Sequence, residues 1–202
     1  MNVVIFVGFL GSGKTSLILP LARSLVGREA SSRERPSVVV IENEVGEVSI
    51  DDAVLRREGV NVRELFGGCI CCQLTADLTS CLNEIAAEVR PSWVLVEATG
   101  LGTPQSIVQT IDRYGRGIDR VFTLAVVDSE RWSELFAIVE PLVSKQVSGA
   151  DIVLVNKSDL VDPVALGEVV DSVRRINSSA ELLTVSASNG IAPEVWEKVA
   201  VR

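Results

Sequence analysis

Histidine is missing from all 202 residues. That absence excludes histidine triads, histidine general bases and histidine-rich metal stores. Lysine is scarce as well, found only at positions 14, 145, 157 and 198, and the formal net charge is −8. A dedicated nucleic-acid binder needs a basic face to meet phosphates, so that class is set aside. No apolar run reaches the ~20 residues that a membrane-spanning helix requires. The apolar stretch from Asn2 to Leu10 has neither a basic leader nor a small-residue cleavage site, and it runs directly into a glycine-rich loop. It reads as a buried strand rather than a targeting signal. Cysteine is sparse too, and three of the four crowd into positions 69, 71 and 72. Such crowding suits metal or redox chemistry in a reducing cytoplasm better than a disulfide framework.

The composition is that of a globular chain, 47% hydrophobic and 23% charged, and the length fits one domain able to bury a substantial core. Short runs rich in Val, Ile and Leu recur at Val3–Val7, Val38–Ile41, Trp93–Val96, Val121–Val127, Ile152–Val155 and Leu182–Val185. Their continuous apolar character predicts strands buried on both faces. Helical spacing falls between them at Lys14–Val26, Leu74–Val89, Glu130–Val147, Pro163–Ile176 and Ala192–Val199. Pro163 and Pro193 suit the first turn of a helix. Strands alternating with helices predict an α/β fold of three layers, a mostly parallel central sheet with helices on both faces. The connections Gly27–Ser37 and Asn43–Val60 read as loops, the second with a short helix near Asp52–Arg57. Neither an internal repeat nor a dividing linker is visible, so residues 1–202 read as a single domain.

The segment from Gly8 to Thr15 is GxxxxGKT, placed between a predicted strand and a predicted helix. Gly8, Gly11 and Gly13 let the backbone wrap around phosphate oxygens, with Ser12 inside the same loop, and the helix N-terminus adds positive potential. Lys14 is expected to reach the β- and γ-phosphates, and the Thr15 hydroxyl to ligate Mg²⁺. Ser16, in the first turn, completes the candidate nucleotide contacts. A chance match has odds on the order of one in a hundred at average glycine content.

Asn156-Lys157-Ser158-Asp159 follows the predicted strand Ile152–Val155. A carboxylate only accepts hydrogen bonds, so Asp159 suits a base edge with two donors, which guanine presents and adenine does not. Lys157 is expected along the base and Asn156 to steady the loop. The turn Ser186-Ala187-Ser188, one βα unit later, adds Ser186 and Ala187 to this base site. Four residues alone are a weak signal and also fit an ordinary turn; an ATP-using kinase is the rival reading.

Glu97 ends the strand Trp93–Val96, with Gly100 three residues on. The carboxylate can serve the Mg²⁺ shell or orient water, and the Gly100 N–H can meet the γ-phosphate. Positioning and charge neutralisation carry phosphoryl transfer, so Lys14, Glu97 and Gly100 are the catalytic candidates even without histidine. A glutamate that merely caps a turn is the alternative.

In an extended backbone Cys69 and Cys71 project to one side and can grip one ion, with Cys72 available if the chain bends. Thiolates suit Zn²⁺ and similar ions, and three sulfurs leave room for an oxygen from Glu42, Glu44 or Glu47. Small buried hydrophobes or a redox pair are the competing readings of these cysteines. Cys81 stands apart on the helical run and reads as core.

These motifs together resemble the CobW/HypB/UreG group of P-loop GTPases, and within it the CobW-type metallochaperones. The matching stretches are GFLGSGKTS at 8–16, IENEVGEVSIDD at 41–52, GGCICC at 67–72, EATGLGTP at 97–104, NKSDL at 156–160 and SAS at 186–188. The resemblance implies the P-loop NTPase fold, GTP/GDP with Mg²⁺, slow GTP hydrolysis, and delivery of Zn²⁺, Co²⁺ or Ni²⁺ to a client metalloenzyme or its maturation factor. It implies a first switch loop from Glu42 to Asp51, with Asp51 a further Mg²⁺ candidate, and metal roles for Glu42, Glu47 and Cys71 with its neighbours. It also implies a nucleotide-dependent homodimer. Many such proteins continue into a smaller C-terminal domain, often beyond a histidine-rich segment; this sequence ends at Arg202, and is expected to lack that domain. A second function remains open, a GTP-controlled partner-binding switch, for a corrinoid or other metalloenzyme, whose cysteines are structural.

Overall fold

The computed structural model describes residues 1–28, 38–42, 60–64, 73–98, 100 and 103–200. In chain order the strands are β1 (Asn2–Val7), β2 (Val38–Glu42), β3 (Val60–Glu64), β4 (Trp93–Glu97), β5 (Arg120–Asp128), β6 (Ile152–Asn156) and β7 (Glu181–Thr184). The helices are α1 (Lys14–Arg28), α2 (Gln73–Glu88), α3 (Pro104–Tyr114), α4 (Trp132–Ser148), α5 (Pro163–Ile176) and α6 (Pro193–Ala200). The strands form one sheet in the order β3-β2-β4-β1-β5-β6-β7. Every pairing is parallel, for example Val4↔Leu95 and Val4↔Phe122 on the two sides of β1. The mostly parallel sheet expected from the sequence is parallel throughout its described strands.

The continuous apolar strands follow from burial on both faces. Val3, Ile5 and Val7 enter one hydrophobic cluster with Leu82 of α2, Ile107 of α3, Leu135 of α4 and Val173 of α5. Val4 and Phe6 face the other way, against Leu17 and Leu21 of α1 and Trp196 of α6. Each fully buried Leu or Ile contributes about 1.5–3 kcal/mol relative to an exposed position, so the central strands, apolar at nearly every residue, are the most strongly held.

Two elements were not expected. The strand β3 lies at the sheet edge, and its sequence Val60-Asn61-Val62-Arg63-Glu64 carries charge at its end, without the long apolar run that marks the interior strands. Helix α3 has three buried anchors, Pro104, Ile107 and Ile111, too few to stand out in the sequence. Helix α1 also runs on through Gly27 and Arg28, which the sequence assigns to a loop. Helix α4 begins at Trp132 rather than Glu130, because the Asp128 carboxylate takes the N–H groups of Glu130 and Arg131 at 3.1 and 3.3 Å and turns the chain first. It is interrupted at Val139 (φ −130°, ψ 33°), two residues before Pro141; proline lacks the donor N–H and crowds the preceding turn. The short helix anticipated near 52–57 lies outside the described residues. Among the described residues, no helix is long and apolar enough to cross a membrane.

Parallel strands place all their C-terminal ends along one edge. The chain order reverses around β1, flanked by β4 and β5, which is where open α/β sheets form their binding crevice.

Candidate nucleotide site

The loop from Gly8 to Gly13 joins β1 to α1 at that crevice. Gly8, Gly11 and Gly13 have φ of 150°, 79° and 94°, which residues with a Cβ rarely adopt. Space forbids a side chain as well. A Cβ on Gly13 would collide with the Asn156 amide nitrogen, and one on Gly8 with the Val126 carbonyl oxygen. The loop closes with Ser12 N–H donating to the Phe9 carbonyl at 3.1 Å.

Three polar groups line this loop. Lys14 is buried, and its ammonium donates to the carbonyls of Gly8 at 3.1 Å and Phe9 at 3.4 Å. The Thr15 hydroxyl reaches Oε1 and Oε2 of Glu97 at 3.0 and 2.9 Å, and Lys14 Nζ lies 4.0 Å from Glu97 Oε1. Ser12 Oγ is buried with no hydrogen-bond partner among the described residues. Buried polar atoms are rarely left so. An orphaned hydroxyl, a cradle without side chains, and a cation resting on carbonyls fit a loop shaped for phosphate. A hydroxyl beside a carboxylate offers the hard oxygen donors that Mg²⁺ takes. Ser16 follows on α1, exposed.

Gly100 packs against this loop; a Cβ there would stand 3.1 Å from the Leu10 nitrogen. Its carbonyl accepts the side-chain amide of Gln146 at 3.0 Å, from the buried face of α4. Sequence reasoning did not find Gln146; a glutamine inside an apolar helical stretch was the available signal.

The second motif sits at the end of β6, beside the first. Asn156 is buried and bridges two loops, donating to the Ser12 carbonyl at 2.9 Å and accepting the Ala187 N–H at 3.0 Å. Lys157 adopts φ 61°, and its ammonium pairs with Asp128 Oδ2 at 2.7 Å. Ser158 donates through both N–H and hydroxyl to the Val185 carbonyl, at 3.2 and 2.9 Å. Asp159 is exposed and accepts the Ser188 hydroxyl at 3.0 Å, while Ser188 and Ser186 share a 3.0 Å contact. The Ser186 hydroxyl, with lesser help from Ser188, holds the Asp159 carboxyl below its ordinary value. An ionised carboxylate is the form able to accept from two donors.

The structure thus gathers Gly8, Gly11, Ser12, Gly13, Lys14, Thr15, Glu97, Gly100, Asn156, Lys157, Asp159, Ser186 and Ala187 along one edge of the sheet. Sequence reasoning missed Asp128 too, at the end of β5; its only signal was an acidic residue closing an apolar strand. Glu42 ends β2, one strand beyond β4 from the phosphate loop. Glu44, Glu47, Asp51, Cys69, Cys71 and Cys72 lie outside the described residues. Among the described residues no group of three His, Cys, Asp or Glu side chains is placed to hold a metal. Cys81 is half-buried against the core, as expected.

The family model of the CobW/HypB/UreG nucleotide-binding domain matches residues 2–184. The chain is 36% identical over 158 residues to the zinc chaperone YeiR of Escherichia coli, covering 77% of this chain and 46% of the relative. It is 27% identical to the zinc-regulated GTPase metalloprotein activator 1 of Dictyostelium discoideum, over 96% of this chain and 47% of that protein. It therefore spans about half the length of these curated relatives. Among solved structures, the hydrogenase maturation factor HypB from Archaeoglobus fulgidus superposes with a TM-score of 0.67 at 18% identity, over 100% of this chain and 89% of that one.

Proposed function

Because the chain belongs to the CobW/HypB/UreG family, we propose that it binds and hydrolyses GTP with Mg²⁺, and that its nucleotide state governs the capture and release of a transition metal for a client metalloenzyme or maturation factor. The observation that carries the GTPase reading is the Thr15 hydroxyl seated on both oxygens of Glu97, beside the Lys14 ammonium. Residues 1–202 are taken as one nucleotide-binding domain. Zn²⁺ is the favoured cargo, since the relatives YeiR and the Dictyostelium protein carry zinc in their names; Co²⁺ and Ni²⁺ are the alternatives.

Each residue has a defined task. Lys14 leaves the Gly8 and Phe9 carbonyls for the β- and γ-phosphates, and the loop N–H groups supply further donors. Thr15 and Glu97 would hold Mg²⁺ directly or through water, with Asp51 a further candidate; the ion neutralises charge on the phosphates. The Ser12 hydroxyl gains the partner it lacks. Gly100 offers its N–H to the γ-phosphate, and because Gln146 holds the same residue by its carbonyl, a shift at Gly100 is passed to α4. Asp159 selects guanine.

The metal would sit on Cys69, Cys71 and Cys72 with an oxygen from Glu42 or Glu47. Thiolates suit Zn²⁺, and an incomplete shell suits an ion that must be given away.

The test measures phosphate release from GTP with and without Mg²⁺ for the wild type and for Thr15→Ala. Mg²⁺-dependent hydrolysis that falls tenfold or more in the variant is expected. Hydrolysis no faster than buffer, or a variant equal to wild type, contradicts the reading. For the metal, Cys71→Ala should abolish tight Zn²⁺ binding under reducing conditions; unchanged binding removes the cysteines from the site.

A further inference from the structure

The guanine-reading loop rests on a buried acid that no motif contains. We propose that Asp128 is a positioning residue for nucleotide recognition, acting through Lys157 to hold the base-reading loop in its binding shape before nucleotide arrives. The inference rests on the GTP-binding reading above and deepens it.

Asp128 closes β5 and lies in register with Asn156 at the end of β6. Its side chain is 1% exposed. A buried carboxylate must have its lone pairs met, and here they are divided between two neighbours. Oδ1 takes the N–H groups of Glu130 and Arg131, fixing the turn into α4. Oδ2 takes the Lys157 ammonium at 2.7 Å.

The adjoining residue reinforces the arrangement. Ser129 donates its N–H to the Asn156 carbonyl at 3.0 Å and its hydroxyl to the Lys157 carbonyl at 2.9 Å. Lys157 stands at φ 61°, a left-handed conformation unusual for a residue with a Cβ. Such a conformation persists where surrounding contacts over-determine it. Here the ammonium is fixed by Asp128 and the carbonyl by Ser129.

The consequence concerns the lysine stem. With its ammonium drawn to Asp128, the four-carbon chain is held in one geometry, and an apolar stem can lie against the face of a planar base. A free lysine would have to surrender its rotamer freedom on binding; one already ordered does not, and preorganisation of this kind appears as affinity. Asp128 touches no nucleotide in this scheme. It acts through Lys157 and belongs to recognition rather than to the phosphate chemistry.

The experiment is titration calorimetry of the full chain with Mg·GDP, with GTPase kinetics alongside. Four proteins are compared: wild type, Asp128→Asn, Lys157→Met and the double variant. Asparagine keeps an acceptor for the α4 turn but turns a donor toward the ammonium; methionine keeps an apolar stem without the charge. Asp128→Asn should weaken GDP about tenfold and raise KM with kcat within twofold, the pattern of lost ground-state binding. In the Lys157→Met background the same change should cost less than twofold, since coupled residues are not additive. Undiminished GDP affinity in Asp128→Asn, or an equal loss in both backgrounds, overturns the proposal. Asp128→Ser, which also keeps an acceptor for the turn, replaces the asparagine variant if that one does not fold. Failure of both to fold assigns Asp128 to the fold alone and likewise overturns it. Wild-type protein that binds no guanine nucleotide contradicts the GTP reading itself, an outcome distinct from the others.

Discussion

Replacing Asn156 with Ala removes a side chain that ties the phosphate loop to the Ser186–Ser188 turn. Two hydrogen bonds go, the donation to the Ser12 carbonyl at 2.9 Å and the acceptance from Ala187 N–H at 3.0 Å. Each abandoned partner costs about 1–3 kcal/mol where water cannot replace the lost atom. The Ser12 carbonyl end is buried and stands at about 2 kcal/mol, the middle of that range; the Ala187 end is partly buried and stands near the lower value of about 1 kcal/mol. The sum is about 3 kcal/mol, before any cost of the space left at a position 1% exposed. For a chain of this size ~1 kcal/mol shifts Tm by ~2–4 °C, so a fall of roughly 6–12 °C is expected. The assay is thermal unfolding followed by circular dichroism without nucleotide, with urea titration as a check that the slope is unchanged. Asp159→Asn is the control: its side chain lies in solvent, and its effect on stability should stay within about 0.5 kcal/mol. A melting point for Asn156→Ala within ~1 °C of wild type would refute the reasoning, because the pin between the two loops would then carry no weight.

Other outcomes follow from the same geometry. Asp159→Asn should weaken GDP and favour xanthine nucleotides, because an amide offers one donor and one acceptor where guanine needs two acceptors; competition between GDP and XDP measures this, and unchanged guanine preference removes Asp159 from the base site. Gly13→Ala places a Cβ against the Asn156 amide at φ 94°, so strain of about 1–3 kcal/mol and loss of nucleotide binding are expected together in unfolding and titration experiments. The Asp159 carboxyl is held below its ordinary value of 3.8, so the ionised form dominates above that pH and guanine affinity should fall only as acid approaches the lowered value. Ser186→Ala removes the main cause and should move the fall to higher pH; an unmoved profile would show that the serine does not act on Asp159.

Much of the fold and of the candidate site's placement was legible in the sequence because both motifs are local. Gly8 to Thr15 and Asn156 to Asp159 each stand at the end of a strand, so spacing alone predicts where the fold puts them. The interior strands were equally legible, since burial on both faces leaves Val, Ile and Leu at consecutive positions, as in Val3–Val7. Edge strand β3 and helix α3 were not, because each is anchored by few apolar residues. Asp128 and Gln146 escaped for a different reason. Both act across the fold, Asp128 on Lys157 and Gln146 on Gly100, 29 and 46 residues away, and no local pattern marks a single polar residue as the support of a distant loop.

The central claim is that nucleotide state governs metal affinity. Zn²⁺ affinity should be measured under reducing conditions, first with the protein loaded with a non-hydrolysable Mg·GTP analogue and then with Mg·GDP, with Co²⁺ and Ni²⁺ in parallel. Linkage requires that any effect of nucleotide on metal be returned by metal on nucleotide, typically ~1–3 kcal/mol, or about 5- to 150-fold. The account predicts a difference of at least fivefold between the two states, with Zn²⁺ held most tightly of the three. Equal Zn²⁺ affinities in the two states would contradict it.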